Sequence, residues 1–138
     1  MERVFVDTSA WVAFANKDDP DHDRVRGELR ARRGRLLTSN FVFDETVTWC
    51  AARLGHRLAC TVGRRLLESP RVDLVRVAAD DERQAWDLFV SREDKQYSFT
   101  DCTSFVLMRR MGLGQALEVD EDFRREGFET LPAPRAPR

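Results

Sequence analysis

Four acidic side chains in this 138-residue sequence stand where exposure to water alone accounts for them poorly. Asp7 ends the β-branched and aromatic run RVFVD and is followed by Thr8 and Ser9, so it can cap a helix or face a ligand from the end of a strand. Glu45 has Phe41 four residues before it and Trp49 four after, which sets it in an apolar row of the helix NFVFDETVTWCAARL. Its neighbour Asp44 lies one step round and suits the surface, where negative charge near a helix N-terminus is mildly favourable. Asp101 repeats the anomaly between Tyr97 and Phe105, although Ser98-x-x-Asp101 also fits a capping box. Asp120 directly follows ALEV and opens a DED triplet, where a first-turn helix acid is its plain structural reading.

What the four acids can do depends on the elements that carry them. Residues 3–7 read as a strand, and from Thr8 the apolar spacing becomes helical. Asn16 to Pro20 punctuate, a polar helix runs to about Arg33, and Gly34 closes it. RLLT (35–38) is a second strand, followed by helices from Ser39 or Asn40 to Leu54 and from Arg57 to Glu68. VDLVRV (72–77) is a third strand and Ala79 to Val90 an amphipathic helix; after the loop SREDKQY, a further helix runs from Ser98 or Phe99 to Met111. ALEV (116–119) and FETL (128–131) complete about five short strands, with a short helix DEDFRRE between them. Alternation of this kind predicts an α/β domain with a largely parallel sheet, because parallel neighbours need crossover helices.

In such a sheet, two acids that end strands and two that start helices come to one edge. Two unit charges about 5 Å apart repel by about 3 kcal/mol at an effective dielectric of 20, so a carboxylate cluster must share protons or bind a cation. All-oxygen ligands favour Mg²⁺ or Mn²⁺ over zinc. The two histidines, His22 and His56, lie in polar helical contexts and read as surface residues, which leaves little for Ser-His or Cys-His nucleophile schemes. Cys50, Cys60 and Cys102 form no CxxC pair and are odd in number, so neither a disulfide framework nor a thiolate zinc site is expected. A carboxylate-held divalent ion suits attack on a phosphodiester, with nucleic acid as the substrate.

Charge balance does not contradict this. The 23 basic and 24 acidic residues nearly cancel, yet only Lys17 and Lys95 are lysine, and arginine is the side chain suited to bidentate phosphate contacts. Arg24, Arg26, Arg30, Arg32 and Arg33 crowd one segment opposite Glu28 alone; they are either a solvated helix face or a strip for RNA or an acidic partner segment. A 42% hydrophobic content with nine Phe and three Trp marks a globular domain rather than a disordered chain. No signal peptide or membrane span is read, so a cytoplasmic protein with no membrane partner is expected. Residues 1–131 are read as one domain and 132–138 (PAPRAPR) as a flexible C-terminal tail.

The segments FVDTSAW (5–11), SNFVFDETVTW (39–49), YSFTDCTSFVLMRRMG (97–112) and ALEVDEDFRREGF (116–128) together resemble PIN-domain proteins, particularly the VapC-type ribonuclease toxins of toxin–antitoxin pairs. The four occur in order over nearly the whole chain. The resemblance implies a three-layer α/β/α domain and a metal-dependent endoribonuclease site using Mg²⁺, with Mn²⁺ as a substitute. It assigns Asp7 and Asp101 as principal metal ligands, Glu45 as the acid that completes the cluster and helps position water, and Asp120 as the fourth acid. Thr8, Ser9 and Thr100 would orient these carboxylates. It also implies a cognate antitoxin and a homodimer. The chain departs from the family at Glu118, where a Thr is usual two residues before the last acid, and Asp122 is an alternative fourth acid.

Three other functions are compatible with parts of this pattern: an RNA-processing nuclease with no antitoxin, a silent binding module, and an aspartyl phosphatase. The last needs D-x-D, and position 9 is Ser.

Overall fold

The computed structural model describes residues 2–134. Twelve elements alternate along the chain: β1 (Arg3–Val6), α1 (Thr8–Ala15), α2 (His22–Ala31), β2 (Arg35–Ser39), α3 (Asn40–Arg53), α4 (His56–Glu68), β3 (Val72–Val75), α5 (Ala79–Ser91), α6 (Phe99–Arg110), β4 (Gln115–Leu117), α7 (Asp122–Arg125) and β5 (Glu129–Leu131). The strands form one sheet in the order β3-β2-β1-β4-β5, and every pairing is parallel.

From β1 the chain steps outward through β2 to β3, then returns to the far side of β1 to lay down β4 and β5. Right-handed crossovers running in opposite directions place their helices on opposite faces of the sheet, giving three layers. The helices α1, α3 and α4 pack on one another, as do α5 and α6. The reversal lies between β1 and β4, where two crossovers leave in opposite directions and open a crevice at the strands' carboxyl ends.

Strand β1 is buried along Val4, Phe5 and Val6, as befits the centre of a sheet covered on both faces. Phe5, Phe105 and Phe123 are fully buried and touch through their rings, Phe105 edge-on to Phe123 at 4.9 Å. This cluster binds β1, α6 and α7 into one core and fixes where the first turns of α6 and α7 stand. Trp11 adds a second tie: its indole N–H donates to the Thr38 hydroxyl, which donates in turn to the Val6 carbonyl. Gly34 is needed at its position because a Cβ there would strike the Glu2 carbonyl.

Several boundaries differ from the sequence expectation, for identifiable reasons. Strand β3 stops at Val75 rather than 77, and the Val77 amide donates to the Asn40 side chain instead of a ladder. Strand β4 stops at Leu117 rather than 119, because the Val119 amide is taken by the Ser9 hydroxyl. The polar helix α2 ends at Ala31, two residues early. His22 is not a free surface residue: its ring stacks on Phe14 and its Nδ1 lies 2.9 Å from the Ala13 carbonyl. His56 is exposed, as expected.

Of the expected tail, residues 135–138 lie outside the described residues. Its first part rests on α2, where the Arg24 guanidinium donates to the Ala133 carbonyl. Among the described residues no helix is long and apolar enough to cross a membrane.

Candidate active site

The crevice beside β1 is lined by Asp7, Thr8, Ser9, Val12, Glu45, Trp49, Gln96, Ser98, Asp101, Asp120 and Asp122, around about 350 Å³. All four acids singled out in the sequence, and the alternative Asp122, therefore reach one cleft from four separate segments.

Asp7 stands at the end of β1 and also caps α1: its Oδ2 accepts from the Ser9 amide at 3.3 Å and the Ser9 hydroxyl at 2.8 Å. The same hydroxyl accepts from the Val119 amide, so Ser9 ties Asp7 to the loop that follows β4. The other carboxylate oxygen, Oδ1, is buried with no hydrogen-bond partner, and the side chain is 1% exposed. Helix capping explains one oxygen and leaves the other without an account. Burial, reinforced by the neighbouring Asp120 charge, pushes Asp7 from 3.8 up to about 7, against the pull of the Ser9 hydrogen bonds.

Asp101 does close the capping box its spacing suggested. Its Oδ2 accepts from the Ser98 amide while its own amide donates to the Ser98 hydroxyl. Burial first, then the Asp7 charge, raises it to about 8. Both acids thus perform the structural task and remain in the cleft, so capping and ligand-facing roles do not exclude each other.

Glu45 lies in the second turn of α3 rather than at its start, half-buried against the cleft, whereas Asp44 is exposed. Asp120 is exposed at the rim. Asp122 is half-buried; burial and Asp120 raise it, and a hydrogen bond shared with Asp101 lowers it. Two carboxyls can share such a bond only by holding a proton between them, which is how like charges coexist without a cation.

Glu118 was visible in the sequence only as a departure from a family pattern. It is 3% exposed, and its two oxygens accept from the Phe123 and Arg124 amides at 3.2 Å each. It therefore caps α7 from within the loop and holds the turn at Glu121, whose φ is 79°. The turn sets Asp120 and Asp122 on either side of it. Burial and a hydrogen bond to Asp120 lift Glu118 to about 9. An acid four residues ahead of a short helix, reaching over a left-handed residue, leaves no periodic signal in sequence.

The remaining expectations are met unevenly. Thr8 lines the cleft with a buried hydroxyl that has no partner. Thr100 does not line it; its carbonyl accepts the hydroxyls of Thr103 and Ser104, and Ser98 is the residue that holds the Asp101 carboxylate. None of the five arginines in α2 and just after it lines the cleft either. Arg24 pairs with Asp21, and Arg32 pairs with Glu28 and Glu2, so two of the five are neutralised within the fold. Arg26, Arg30 and Arg33 are exposed.

Hard cations take carboxylate oxygens, and a buried, unpartnered Asp7 oxygen among four further acids fits such an ion. Among the described residues no three acids, histidines or cysteines are already drawn together as a metal-holding group. The acids line an open cleft, where Asp101 and Asp122 share a hydrogen bond and one Asp7 oxygen has none.

Comparison with known proteins agrees with this architecture. Residues 4–129 match the PIN domain. The 23S rRNA-specific endonuclease VapC20 of Mycobacterium tuberculosis is 40% identical over 126 residues, covering 91% of this chain and 95% of the relative. The crystal structure of that toxin, a sarcin-ricin loop cleaving toxin, matches with a TM-score of 0.87 and 38% identity over 91% of this chain and 95% of that one. DNA-bound VapBC from Salmonella typhimurium matches with a TM-score of 0.66 and 15% identity, covering 94% of this chain and 97% of that one, a likeness of fold alone. With its parallel sheet reversing beside an acidic cleft, and with a family match across residues 4–129, this chain belongs to the PIN-domain family.

Proposed function

We propose that this protein is a metal-dependent endoribonuclease, the toxin of a VapBC-type toxin–antitoxin pair, acting on 23S ribosomal RNA. The observation that carries the reading is the buried Asp7 carboxylate, one oxygen held by Ser9 and the other unpartnered, in a cleft shared with Glu45, Asp101, Asp120 and Asp122. The name of the 40%-identical relative supports the substrate class.

Asp7 and Asp101 would hold Mg²⁺, for which Mn²⁺ could substitute. Such an ion would supply activation of water and neutralisation of charge on the phosphate under attack. Ser9 fixes the orientation of Asp7 through Oδ2, and Ser98 does the same for Asp101. Glu45, on a rigid helix at the side of the cleft, positions the attacking water and takes up its proton. Asp120 is the fourth acid, with Asp122 beside it, and Glu118 holds the loop that carries both. Burial raises the proton affinity of Asp7 and Asp101, and a cation stabilises their ionised forms. The functional unit is residues 1–131; the protein is cytoplasmic, forms a homodimer and is silenced by an antitoxin segment laid across the cleft.

The test is cleavage of purified 23S rRNA with Mg²⁺, with EDTA, and with Asp7→Asn or Asp101→Asn. Wild type should cut only with the metal, and each variant should be slower by at least about 10²-fold, on the scale of removing one electrostatic contact made in a transition state. Variants that cut as fast as wild type would show the site to be elsewhere.

A further inference from the structure

The carboxylates account for attack on a phosphate but not for how a strand of RNA is held beside them. None of the α2 arginines lines the cleft. On α3, however, Glu45, Trp49 and Arg53 follow one another at intervals of four and so share one helix row. Glu45 and Trp49 both line the cleft. Trp49 is half-buried there, and the exposed Arg53 stands over its ring with Cζ 5.9 Å from the centroid. Among the described residues no carboxylate pairs with Arg53, unlike Arg24, Arg32, Arg92 and Arg110.

The other two tryptophans serve differently. Trp11 is buried, with its indole N–H donating to Thr38. Trp86 is exposed and stacked on Phe89 in α5, whose first turn exposes Asp80 and Glu82, a poor surface for a polyanion. Only Trp49 brings an aromatic face to the acidic cleft, and it brings a free guanidinium with it. Single-stranded RNA is bound by this combination: bases stack on aromatic rings whatever their identity, and arginine meets the adjoining phosphate.

Resting on the ribonuclease reading above, we propose that Trp49 and Arg53 form a nucleotide subsite at the side of the cleft. An unpaired base flanking the scissile phosphate stacks on the indole face that Arg53 leaves open, and Arg53 pairs with the next phosphate. The row then runs from the group that handles the water, through the group that holds a base, to the group that anchors the backbone. Trp49 contributes to strand binding more than to bond breaking, so its loss appears in KM rather than kcat.

The experiment uses a hairpin RNA carrying the loop cut by VapC20, and the same hairpin made abasic at each nucleotide flanking the cut in turn. Trp49→Leu keeps apolar bulk without a π face and should raise KM about 10-fold, the scale of one base–aromatic stack, with kcat within about threefold. Trp49→Phe should recover most of the loss. Arg53→Gln should raise KM less and flatten its dependence on salt. One abasic hairpin should cost wild type as much as Trp49→Leu does, and cost Trp49→Leu nothing further. An unchanged KM for Trp49→Leu, or abasic and Trp49→Leu losses that simply multiply, would overturn the subsite. Should Trp49→Leu fail to fold, Trp49→Phe and the abasic hairpins on wild type decide. Absence of cleavage by wild type, or undiminished cleavage by Asp7→Asn, would instead sink the ribonuclease reading. The subsite is then judged by fluorescence anisotropy of the labelled hairpin: equal affinity for Asp7→Asn and Asp7→Asn/Trp49→Leu overturns it.

Discussion

Helix α6 begins among carboxylates that face one another and ends among carboxylates that each face a guanidinium. At its last turn, Arg110 donates to both oxygens of Asp81 at 2.9 and 3.0 Å, and Asp81 also accepts the Ala78 amide. Nearby, Glu126 receives Arg92 at 3.0 and 3.2 Å and Arg109 at 2.7 Å, and these bonds hold its carboxyl below the usual range despite burial. At its first turn, Asp101 has one backbone N–H and the company of Asp7, Asp120 and Asp122, and is raised to about 8. The same residue types are buried at both ends. Where negative charge serves only the fold it is matched by arginine; where it is left unmatched, the acids hold protons or, on the proposed ribonuclease reading, take an outside cation.

The contrast can be broken most directly in the cleft. Asp101→Asn should lower RNA cleavage by at least about 10²-fold while making the metal-free protein more stable at pH 8, because a carboxyl that resists ionising has been replaced by a neutral amide of similar shape. Rate assays and denaturant melts on one preparation check both halves. A loss of activity accompanied by a loss of stability would mean that the acid is structural.

Next in size is the pH dependence without metal. Asp7 and Asp101 have folded-state values of about 7 and about 8 against 3.8 unfolded, so the folded chain holds more protons than the unfolded one between those limits. Stability in EDTA should therefore fall as pH rises from about 4 to about 8, by an amount on the order of a few kcal/mol. Mg²⁺ should restore it at the upper end, by about 2.7 kcal/mol when present at about 100 times its dissociation constant. Glu126 works with the opposite sign: its contribution is present above the unfolded value of 4.5 and is lost as pH falls through its lowered folded value. A flat profile from pH 4 to 8, unmoved by Mg²⁺, would erase the distinction between the two ends.

In the matched region, Asp81→Ala should cost about 1–3 kcal/mol, since Arg110 and the Ala78 amide lose their acceptor, with cleavage per folded molecule unchanged. Thermal melts beside rate assays test this. The smallest effect is expected at Glu118, where Ala should cost about 1 kcal/mol by freeing two amides of α7, and Gln should recover part of it. Isothermal titration with Mn²⁺ should show weaker binding in Glu118→Ala than in Glu118→Gln, because the loop bearing Asp120 and Asp122 is loosened.

The acids of the cleft were legible because each broke a local pattern. Asp7 ended a buried strand, Glu45 interrupted an apolar helix row, and Asp101 lay between aromatics. Their structural alternatives were equally legible, and Asp7 and Asp101 do cap their helices from inside the cleft. The arginine segment was legible as composition only. Whether Arg32 meets RNA or Glu2 depends on a partner 30 residues away, and no spacing within the segment contains that information. The placements of Glu118 and Thr100 were not legible for a related reason: the direction of a side chain at a loop or a helix start follows from the turn around it, and the turn at Glu121 needs a positive φ that no glycine announces.

Element order, the parallel class and the short list of acids were therefore determined by sequence alone, since periodicity of 2 or 3.6 and the breaks in it are local properties. Strand order was not. That β4 rather than β3 lies beside β1, opening the crevice at Asp7, is decided by long-range packing such as Phe5 against Phe123. Tertiary structure also decided which buried acids found an arginine and which found only one another. Charge pairing across the fold depends on three-dimensional distance, and the chain carries Asp81 and Arg110, 29 residues apart, with no local sign that they will meet.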